Sequence, residues 1–293
     1  MTLSSVPIEI ARTAPSIPSG AIRFGKRHPL VLVGAGLLML LIILAVAAPL
    51  YAGDPAEMDP FKRLQSPSAA LWFGSDNLGR DVFARTIFGA RISLLVGLLS
   101  AACAAMGGLL IGVLAGYVRP FDNVAMRIMD GLMSIPTILL AIALISLTGP
   151  GIATLIVAIA IPETPAVARL VRSVVLSVRE RPYVEAAVCG GARLPKVLWR
   201  HILPSTIPAL MVQSATVCAS AVLTEAGLSF LGVGVPPEIP SWGNMISSSR
   251  LFLAIAPLTI FAPGICLAVT VLAVNLLGDG LRDMFDPRSK RRR

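Results

Sequence analysis

Residues 185–204 read EAAVCGGARLPKVLWRHILP, a polar and basic island between long apolar stretches. The first three residues favour a helix, the glycines at 190 and 191 interrupt it, and a second short helix is predicted from Leu194 until Pro204 ends it. The island therefore predicts a helix, a bend and a helix. Because its small side chains would let another surface approach the backbone, the segment is either a docking site for a soluble partner or an ordinary solvated loop.

The composition around this island is that of a membrane protein. Apolar residues make up 55% of the 293-residue chain and charged residues 14%, whereas average globular domains carry about a quarter charged residues. The mean hydropathy is +0.80. The apolar runs show no alternation with a period of two, and backbone groups in lipid must be satisfied within their own segment. We therefore expect an all-α integral membrane protein.

Six apolar segments are long enough to cross a hydrocarbon core of about 30 Å, which needs about 20 helical residues. They lie near residues 30–50, 92–117, 129–148, 151–171, 206–230 and 252–278. The predicted organisation is a cytoplasmic tail (1–28), a first transmembrane helix (29–50), an outer loop (51–91), a five-helix core (92–278) with a cytoplasmic loop at 172–204, and a basic cytoplasmic tail (279–293).

The basic residues predict the orientation, because short loops rich in Lys and Arg stay in the cytoplasm. With both termini inside, 19 of the 25 Lys and Arg residues lie on the cytoplasmic side. The inverted topology would reverse this bias. Topology and attraction to anionic lipid then explain the net charge of +9, and the sequence offers no platform of aromatic and basic residues that would indicate nucleic-acid binding.

The spacing within the island resembles that of a known loop. Glu185, Ala186 and Ala187, followed by Gly191 and then by Leu203 and Pro204, resemble the EAA loop of permeases in ATP-driven (ABC-type) importers. Three further stretches resemble the second permease subunit of dipeptide, oligopeptide and nickel importers. They are FGSDNLGRDVFAR at 73–85, GLSFLGVGVPPEIPSWG at 227–243 and NLLGDGLRDMFDPR at 275–288. The resemblance covers most of the chain.

This resemblance implies a six-helix permease with the type I ABC importer fold, in the bacterial cytoplasmic (inner) membrane. It implies that the chain pairs with a homologous second permease, with the path for di- or oligopeptides between the two. Two cytoplasmic ATPase subunits would bind ATP and Mg²⁺, and an extracytoplasmic binding protein would deliver substrate. The residues of the EAA-like loop, Glu185, Ala186, Ala187, Gly191, Leu203 and Pro204, would couple the ATPases to the path.

No catalytic centre is predicted for the chain itself. It has no Gly-x4-Gly-Lys-Ser/Thr loop that could cradle ATP phosphates, so another polypeptide would have to hydrolyse ATP. The four cysteines, at 103, 189, 218 and 266, are widely separated, and none has a neighbour at metal-ligand spacing. We expect this chain to bind no metal or cofactor.

Three carboxylates lie near the apolar segments, where ionisable side chains are costly. Asp130 begins the third segment, which favours a helix-end role, and Glu225 lies near the outer end of the fifth, which favours partial contact with water. Glu163 lies between Pro162 and Pro165 in the fourth segment. Because these prolines free backbone groups, they favour a kinked helix that lines a cavity or a partner interface. Glu163 is therefore a candidate for the translocation path, with a structural role as the alternative.

The outer loop contains three prolines and then two glycines, which predicts an irregular segment followed by a short amphipathic helix. Arg80, Asp81 and Arg85 would lie on that helix. These charges either pair with one another or contact the partner permease or the binding protein.

Three other functions remain open. A nickel or other metal-chelate importer is the nearest alternative, although the chain has no cluster of His, Cys and carboxylate residues suited to a metal. An ion-coupled secondary transporter would need Glu163 as its midmembrane carboxylate, but inverted repeats are not visible in the sequence. A structural scaffold without transport activity would not need spans interrupted by proline and glycine.

Overall fold

The computed structural model of the protein describes residues 29–285, and most of these residues are helical. The α-helices are α1 (Pro29–Tyr51), α2 (Val82–Tyr117), α3 (Arg119–Met133), α4 (Thr137–Thr148), α5 (Ile152–Arg179), α6 (Pro182–Cys189), α7 (Leu194–Val197), α8 (Leu203–Phe230), α9 (Trp242–Ser249) and α10 (Leu258–Phe285). Short 3-10 turns lie at Pro60–Lys62 and Arg250–Phe252, and a π-helical turn at Leu198–Ile202 joins α7 to α8. The predicted tail 1–28 and residues 286–293 lie outside the described residues.

Five helical segments of the described chain are long and apolar enough to cross a membrane. They are α1, α2, α5, the continuous run Leu194–Phe230, and α10. A sixth crossing is formed by α3 and α4 together, which are bent by 95° relative to each other. The six predicted spans are thus present, but our expectation of one helix over 129–148 is wrong. Pro136 explains the break, since proline disfavours the helical conformation of the residue before it.

A stripe of glycines lets α2 and α5 approach closely. Gly108, Gly112 and Gly116 recur every four residues on α2, and a Cβ atom added to them would lie 2.5, 2.6 and 2.6 Å from atoms of α5. Small residues at this spacing allow membrane helices to pack backbone against backbone. The facing residues on α5 are, in order, Val167, Ala168, Val171 and Val175.

The order of these contacts shows that α2 and α5 run parallel. The chain between them must therefore cross back, which makes the bent pair α3–α4 a crossing. Near the Arg179 end of α5, α3 is held by ion pairs from Asp122 to Arg172 and from Asp130 to Arg169. Towards the other end of α5, Ala141 and Ile145 of α4 belong to the same buried cluster as Ile159.

Antiparallel packing places the remaining helices. Gly34 of α1 faces Ala273 of α10, and Gly280 faces Val31, so these two helices run in opposite directions. The Pro29 end of α1 and the Phe285 end of α10 therefore lie on the same side. At the other end of α1, Arg91 of α2 donates a 2.6 Å hydrogen bond to the carbonyl of Ala45. Both ends of the described chain thus share a side with α6 and α7, as the distribution of basic residues predicts.

Two predicted boundaries differ from the structure. α2 begins at Val82, ten residues before the predicted span, so no separate amphipathic helix forms in the described outer loop. Asp81 caps α2 by accepting a 2.8 Å hydrogen bond from the amide of Phe83, which explains the early start. α10 continues to Phe285, so the predicted tail from residue 279 begins inside a helix.

We expect Gly112→Ala to destabilise the protein. A glycine-to-alanine change inside a helix normally stabilises by about 1 kcal/mol, but a Cβ at 112 would lie 2.6 Å from the carbonyl oxygen of Ala168. Overpacking of this kind costs about 1–3 kcal/mol. The matched control is Gly36→Ala in α1, where a Cβ would meet nothing within 4 Å. Thermal unfolding of the purified variants in detergent measures both, and an unchanged midpoint for Gly112→Ala would contradict the packing.

Candidate functional site

The island at 185–204 folds as a helix, a bend and a helical continuation. α6 ends in a Schellman motif, in which the amide of Ala192 donates to the carbonyl of Ala187 at 3.0 Å and the amide of Gly191 to that of Val188 at 2.9 Å. Gly191 has a φ of +79°, which favours glycine because it has no Cβ. The bend therefore depends on Gly191, whereas Gly190 has a φ of −74°.

Our expectation that Pro204 ends the second helix is wrong. The helical path runs from Leu194 to Phe230, and Pro204 lies in the first turn of α8. The π-helical turn before it bonds the amide of Leu203 to the carbonyl of Leu198. The Ser205 hydroxyl donates to the carbonyl of His201 at 3.0 Å. A proline within a continuous helical run is tolerated where a local π turn and a serine hydroxyl satisfy backbone groups near the missing amide.

Three buried aliphatic side chains fix this segment to the transmembrane helices. Val184 of α6, Val197 of α7 and Ile202 of the π turn are at most 2% exposed and share a cluster with Val175 and Val178 of α5. At the base of α6, the guanidinium of Arg179 donates to the carbonyl of Gly116 at 3.0 Å. A displacement of α6 and α7 must therefore act on α2, α5 and α8.

The side of the segment that faces away from these anchors is exposed, and its composition suits contact with another protein. Glu185, Ala186, Gly191 and Pro204 are exposed, and Ala187 and Leu203 are half-buried. Large apolar side chains are exposed beside them: Tyr183, Val188, Leu194 and Trp199, the last of which is 77% exposed. Apolar side chains clustered among charges are typical of interaction sites. We call this surface, formed by exposed residues 183–204, the docking face.

Sequence reasoning found the acidic and small residues of the docking face but missed its apolar ones. Leu194 and Trp199 are one and a half turns apart, a spacing that fits either a buried or an exposed helix face. The burial of Val197, which lies between them, indicates the orientation of the helix. With Val197 facing the transmembrane helices, Trp199 faces away from them.

Glu163 lies on α5 and reaches across to α8. Its side chain is half-buried, and the Ser220 hydroxyl donates a 2.7 Å hydrogen bond to its Oε1. Among the described residues it forms no ion pair, in contrast to Asp122 and Asp130 of α3. Asp130 does not begin a helix as expected: it lies in the last turn of α3 and forms an ion pair with Arg169 of α5.

Glu225 is fully buried, so our expectation that it contacts water is wrong. Hydroxyl groups from three elements hydrogen-bond its carboxyl group: Ser93 of α2 at 3.1 Å, Ser229 of α8 at 2.9 Å, and Ser241, which caps α9. The Ser93 hydroxyl in turn accepts from the amide of Trp242 at 3.3 Å. These bonds hold the outer segment that contains α9 against α2 and α8.

The charges of the outer loop pair locally. Arg80 contacts Asp76 at 2.7 Å and Arg85 contacts it at 3.7 Å, and all three residues are at most 5% exposed. Burial raises the pKa of Asp81, although the backbone amides of Phe83 and Ala84 lower it. This placement favours local pairing, and contact of Arg80, Asp81 and Arg85 with a partner stays an untested prediction.

Metal ligation has no support in the part of the chain that the structure describes. No group of three His, Cys, Asp or Glu side chains there could hold an ion. The four cysteines are free thiols, and Cys189 and Cys103 are exposed.

Comparison with known proteins identifies the family. Residues 108–291 match the model of the binding-protein-dependent transport system inner membrane component. The probable peptide ABC transporter permease y4tQ of Sinorhizobium fredii is 84% identical over 93% of this chain and 94% of its own length. The dipeptide transport system permease DppC of Alkalihalophilus pseudofirmus is 40% identical over 98% and 95%.

Two further comparisons agree. The glutathione transport system permease GsiD of Pectobacterium atrosepticum is 42% identical over 92% of this chain and 90% of its own length. A chain of the MetNI methionine ABC transporter has the same fold, with a TM-score of 0.58 and 21% identity over 69% of this chain and 97% of that one. The protein crosses the membrane several times, and it belongs to the family of inner-membrane components of binding-protein-dependent transport systems.

Proposed function

We propose that this chain is the peptide-translocating permease subunit of an ATP-driven importer, and that its docking face receives a cytoplasmic ATPase. The docking face carries this proposal, because it combines exposed apolar side chains and one exposed carboxylate, Glu185, with buried anchors to the transmembrane helices. The names of the similar permeases from S. fredii, A. pseudofirmus and P. atrosepticum support peptides as cargo.

The anchors suggest how the ATPases drive the path. ATP and Mg²⁺ bind between two ATPase subunits, whose closure moves α6 and α7. Since Val184, Val197 and Ile202 are packed against α5, that movement passes into α5 and α8. To change the ratio of the outward-open to the inward-open state from 1:99 to 99:1, the ATPases must stabilise one state over the other by about 5.5 kcal/mol. Helices that were held loosely could move without affecting the path, whereas these anchors are buried and packed against α5.

A second, homologous permease completes the path. Polar side chains form a seam along α5 and α8 that lipid would not satisfy. Its members at least partly reach the surface of the isolated chain: Glu163, Ser173, Ser177, Gln213, Thr216 and Ser220. We call these residues the polar seam and propose that it faces water and substrate between the two permeases. An extracytoplasmic binding protein delivers the peptide at the end near α9.

The alternatives have less support. An ion-coupled secondary transporter does not fit membership of a binding-protein-dependent family. A metal-chelate importer finds no support in the names of the similar permeases.

The proposal is tested by reconstitution. The complex purified through a tag on this chain, placed in liposomes with its binding protein, is expected to contain ATPase subunits and to take up a labelled dipeptide when ATP is supplied. A complex that hydrolyses ATP without importing any peptide would contradict the peptide assignment but not the permease role.

Charge reversal on the docking face should weaken ATPase attachment. We expect Glu185→Arg to reduce the ATPase that co-purifies with the tagged chain by about tenfold or more, because it reverses the one negative charge of the docking face and a cost of about 1.4 kcal/mol already lowers affinity tenfold. ATP-driven uptake should fall in parallel, while the chain still inserts into the membrane. The matched control is Glu238→Arg, an exposed carboxylate of the outer segment, which should leave the amount of co-purifying ATPase unchanged. Full ATPase recovery and uptake in Glu185→Arg would remove Glu185 from the coupling surface.

Cys189 provides a test of both orientation and docking. It is exposed beside the bend, outside the spanning helices, and Cys218 and Cys266 are half-buried within them. A membrane-impermeant maleimide should label Cys189 in inside-out vesicles and not in right-side-out vesicles. Added ATPase subunits should slow the labelling several-fold. Cys189→Ser is the control that should abolish it, and labelling from the outer side would contradict the orientation.

A further inference from the structure

The carboxylate of Glu163 lies deep in the membrane without an opposite charge. It is eleven residues from the start of α5 and six from Arg169, or about 17 Å and about 9 Å along the helix. The described basic residues nearest to it on α5, Arg169 and Arg172, are paired with Asp130 and Asp122. An ionisable side chain inside a membrane normally faces a cavity or a partner, because lipid cannot solvate it.

The hydrogen bonds around Glu163 leave part of its carboxylate unused. Ser220 donates to Oε1 at 2.7 Å, and no described residue donates to Oε2. The carboxylate is half-buried rather than enclosed. It can therefore accept further hydrogen bonds from a group that enters from the open side.

Two prolines add backbone acceptors on the same turns of α5. Pro165 has no amide to donate to the carbonyl of Ile161, and Pro162 has none for that of Ala158. The helix nevertheless continues without a break from Ile152 to Arg179. Both carbonyls lie on the far side of α5 from Glu163, since residues two and five positions apart do not share a helix face, and Ala158 is 1% exposed. The acceptors that a ligand at Glu163 can reach are therefore its carboxylate oxygens and the hydroxyl oxygen of Ser220.

Such a set of acceptors suits a ligand that brings a positive charge and several donors. A primary ammonium group has three N–H donors and no acceptor. A metal ion fits less well, since no described group of three His, Cys, Asp or Glu side chains lies there. We propose that Glu163, together with Ser220, binds the ammonium group of the substrate in transit, which in a peptide is its α-amino group. This inference rests on the proposed peptide import.

The rest of the polar seam suits the remainder of a peptide. Thr216 and Gln213 lie four and seven residues before Ser220 on α8, so they share its side of the helix. Thr216 is exposed and Gln213 half-buried. Their hydroxyl and amide groups can hydrogen-bond the peptide amide and carboxylate of any dipeptide. Recognition of main-chain groups alone would make the path tolerant of different side chains.

The test compares alanyl-alanine with N-acetyl-alanyl-alanine, which lacks the ammonium charge. We expect the purified complex, without binding protein, to bind alanyl-alanine about tenfold or more tightly than the acetylated form, because a hydrogen bond to a charged group is worth about that factor. Glu163→Gln should bind both peptides alike and should take up alanyl-alanine several-fold more slowly in liposomes. ATP hydrolysis should be retained.

Two control variants separate charge from packing. Ser220→Ala keeps the carboxylate and should keep the preference for the free amino group, although with weaker binding. Glu238→Gln alters an exposed carboxylate of the outer segment and should leave the binding preference that is measured without binding protein unchanged. A Glu163→Gln complex that retains the wild-type preference would overturn the ammonium site. Loss of the second permease from the Glu163→Gln complex would also overturn it, because Glu163 would then be an interface residue.

Failure of the ammonium site can be distinguished from failure of peptide import. If the wild-type complex with its binding protein takes up no peptide, the proposed function is wrong, and the ammonium site is then wrong as well. If the wild-type complex imports alanyl-alanine and Glu163→Gln imports it equally fast, only the ammonium site is wrong.

Discussion

At Gly112 of α2, a Cβ atom would lie 2.6 Å from the carbonyl oxygen of Ala168, so α2 and α5 can pack only where α2 has no side chain. This contact sets the positions of most other elements. Together with the contacts of Gly108 and Gly116 it holds the two helices parallel, which requires α3 and α4 to cross back between them. It also places the Arg179 end of α5 beside Gly116, where α6 begins. The docking face is therefore positioned by a packing constraint one helix away from it.

Two carboxylates in the spanning helices serve different purposes because their surroundings differ. Glu225 is fully buried and surrounded by serine hydroxyls from α2, α8 and the start of α9. These groups satisfy it, and it acts as a junction between three elements. Glu163 has one hydroxyl partner and an open side. A carboxylate with unsatisfied hydrogen-bonding capacity in a membrane is unfavourable if its role is structural alone. We therefore propose that Glu163 binds the substrate.

Much of this architecture could be predicted from the sequence, because a membrane limits the choices. Length and hydropathy predicted the spans, basic residues predicted which ends share a side, and proline and glycine predicted the bend in the island. The errors have local causes. Pro204 was expected to end a helix, but a π turn before it lets the helix continue past the missing amide. Glu225 was expected to contact water because it lies near the outer end of the fifth segment. Its partner Ser93 is 132 residues away in the sequence, so its burial could not be predicted from its neighbours.

Other features depend on contacts that no local pattern reveals. The apolar part of the docking face becomes visible only once Val197 is known to be buried. The start of α2 at Val82 depends on the cap by Asp81, and Arg80 and Arg85 are buried only because Asp76 folds back onto them. The partners of Asp81 and Asp76 are only two and four residues away in two of these contacts, but the sequence does not show which of several possible local pairings forms.

The bend between α3 and α4 has a consequence for biosynthesis. α4 has 12 residues and spans about 18 Å, well short of a hydrocarbon core of about 30 Å. α3 carries Asp122 and Asp130, whose cationic partners belong to α5. Neither α3 nor α4 is suited to pass from the translocon into the lipid by itself. The later helix α5 supplies both the apolar surface and the opposite charges. The third crossing is thus completed only after the fourth has been synthesised, so the order of insertion need not follow the order of the chain.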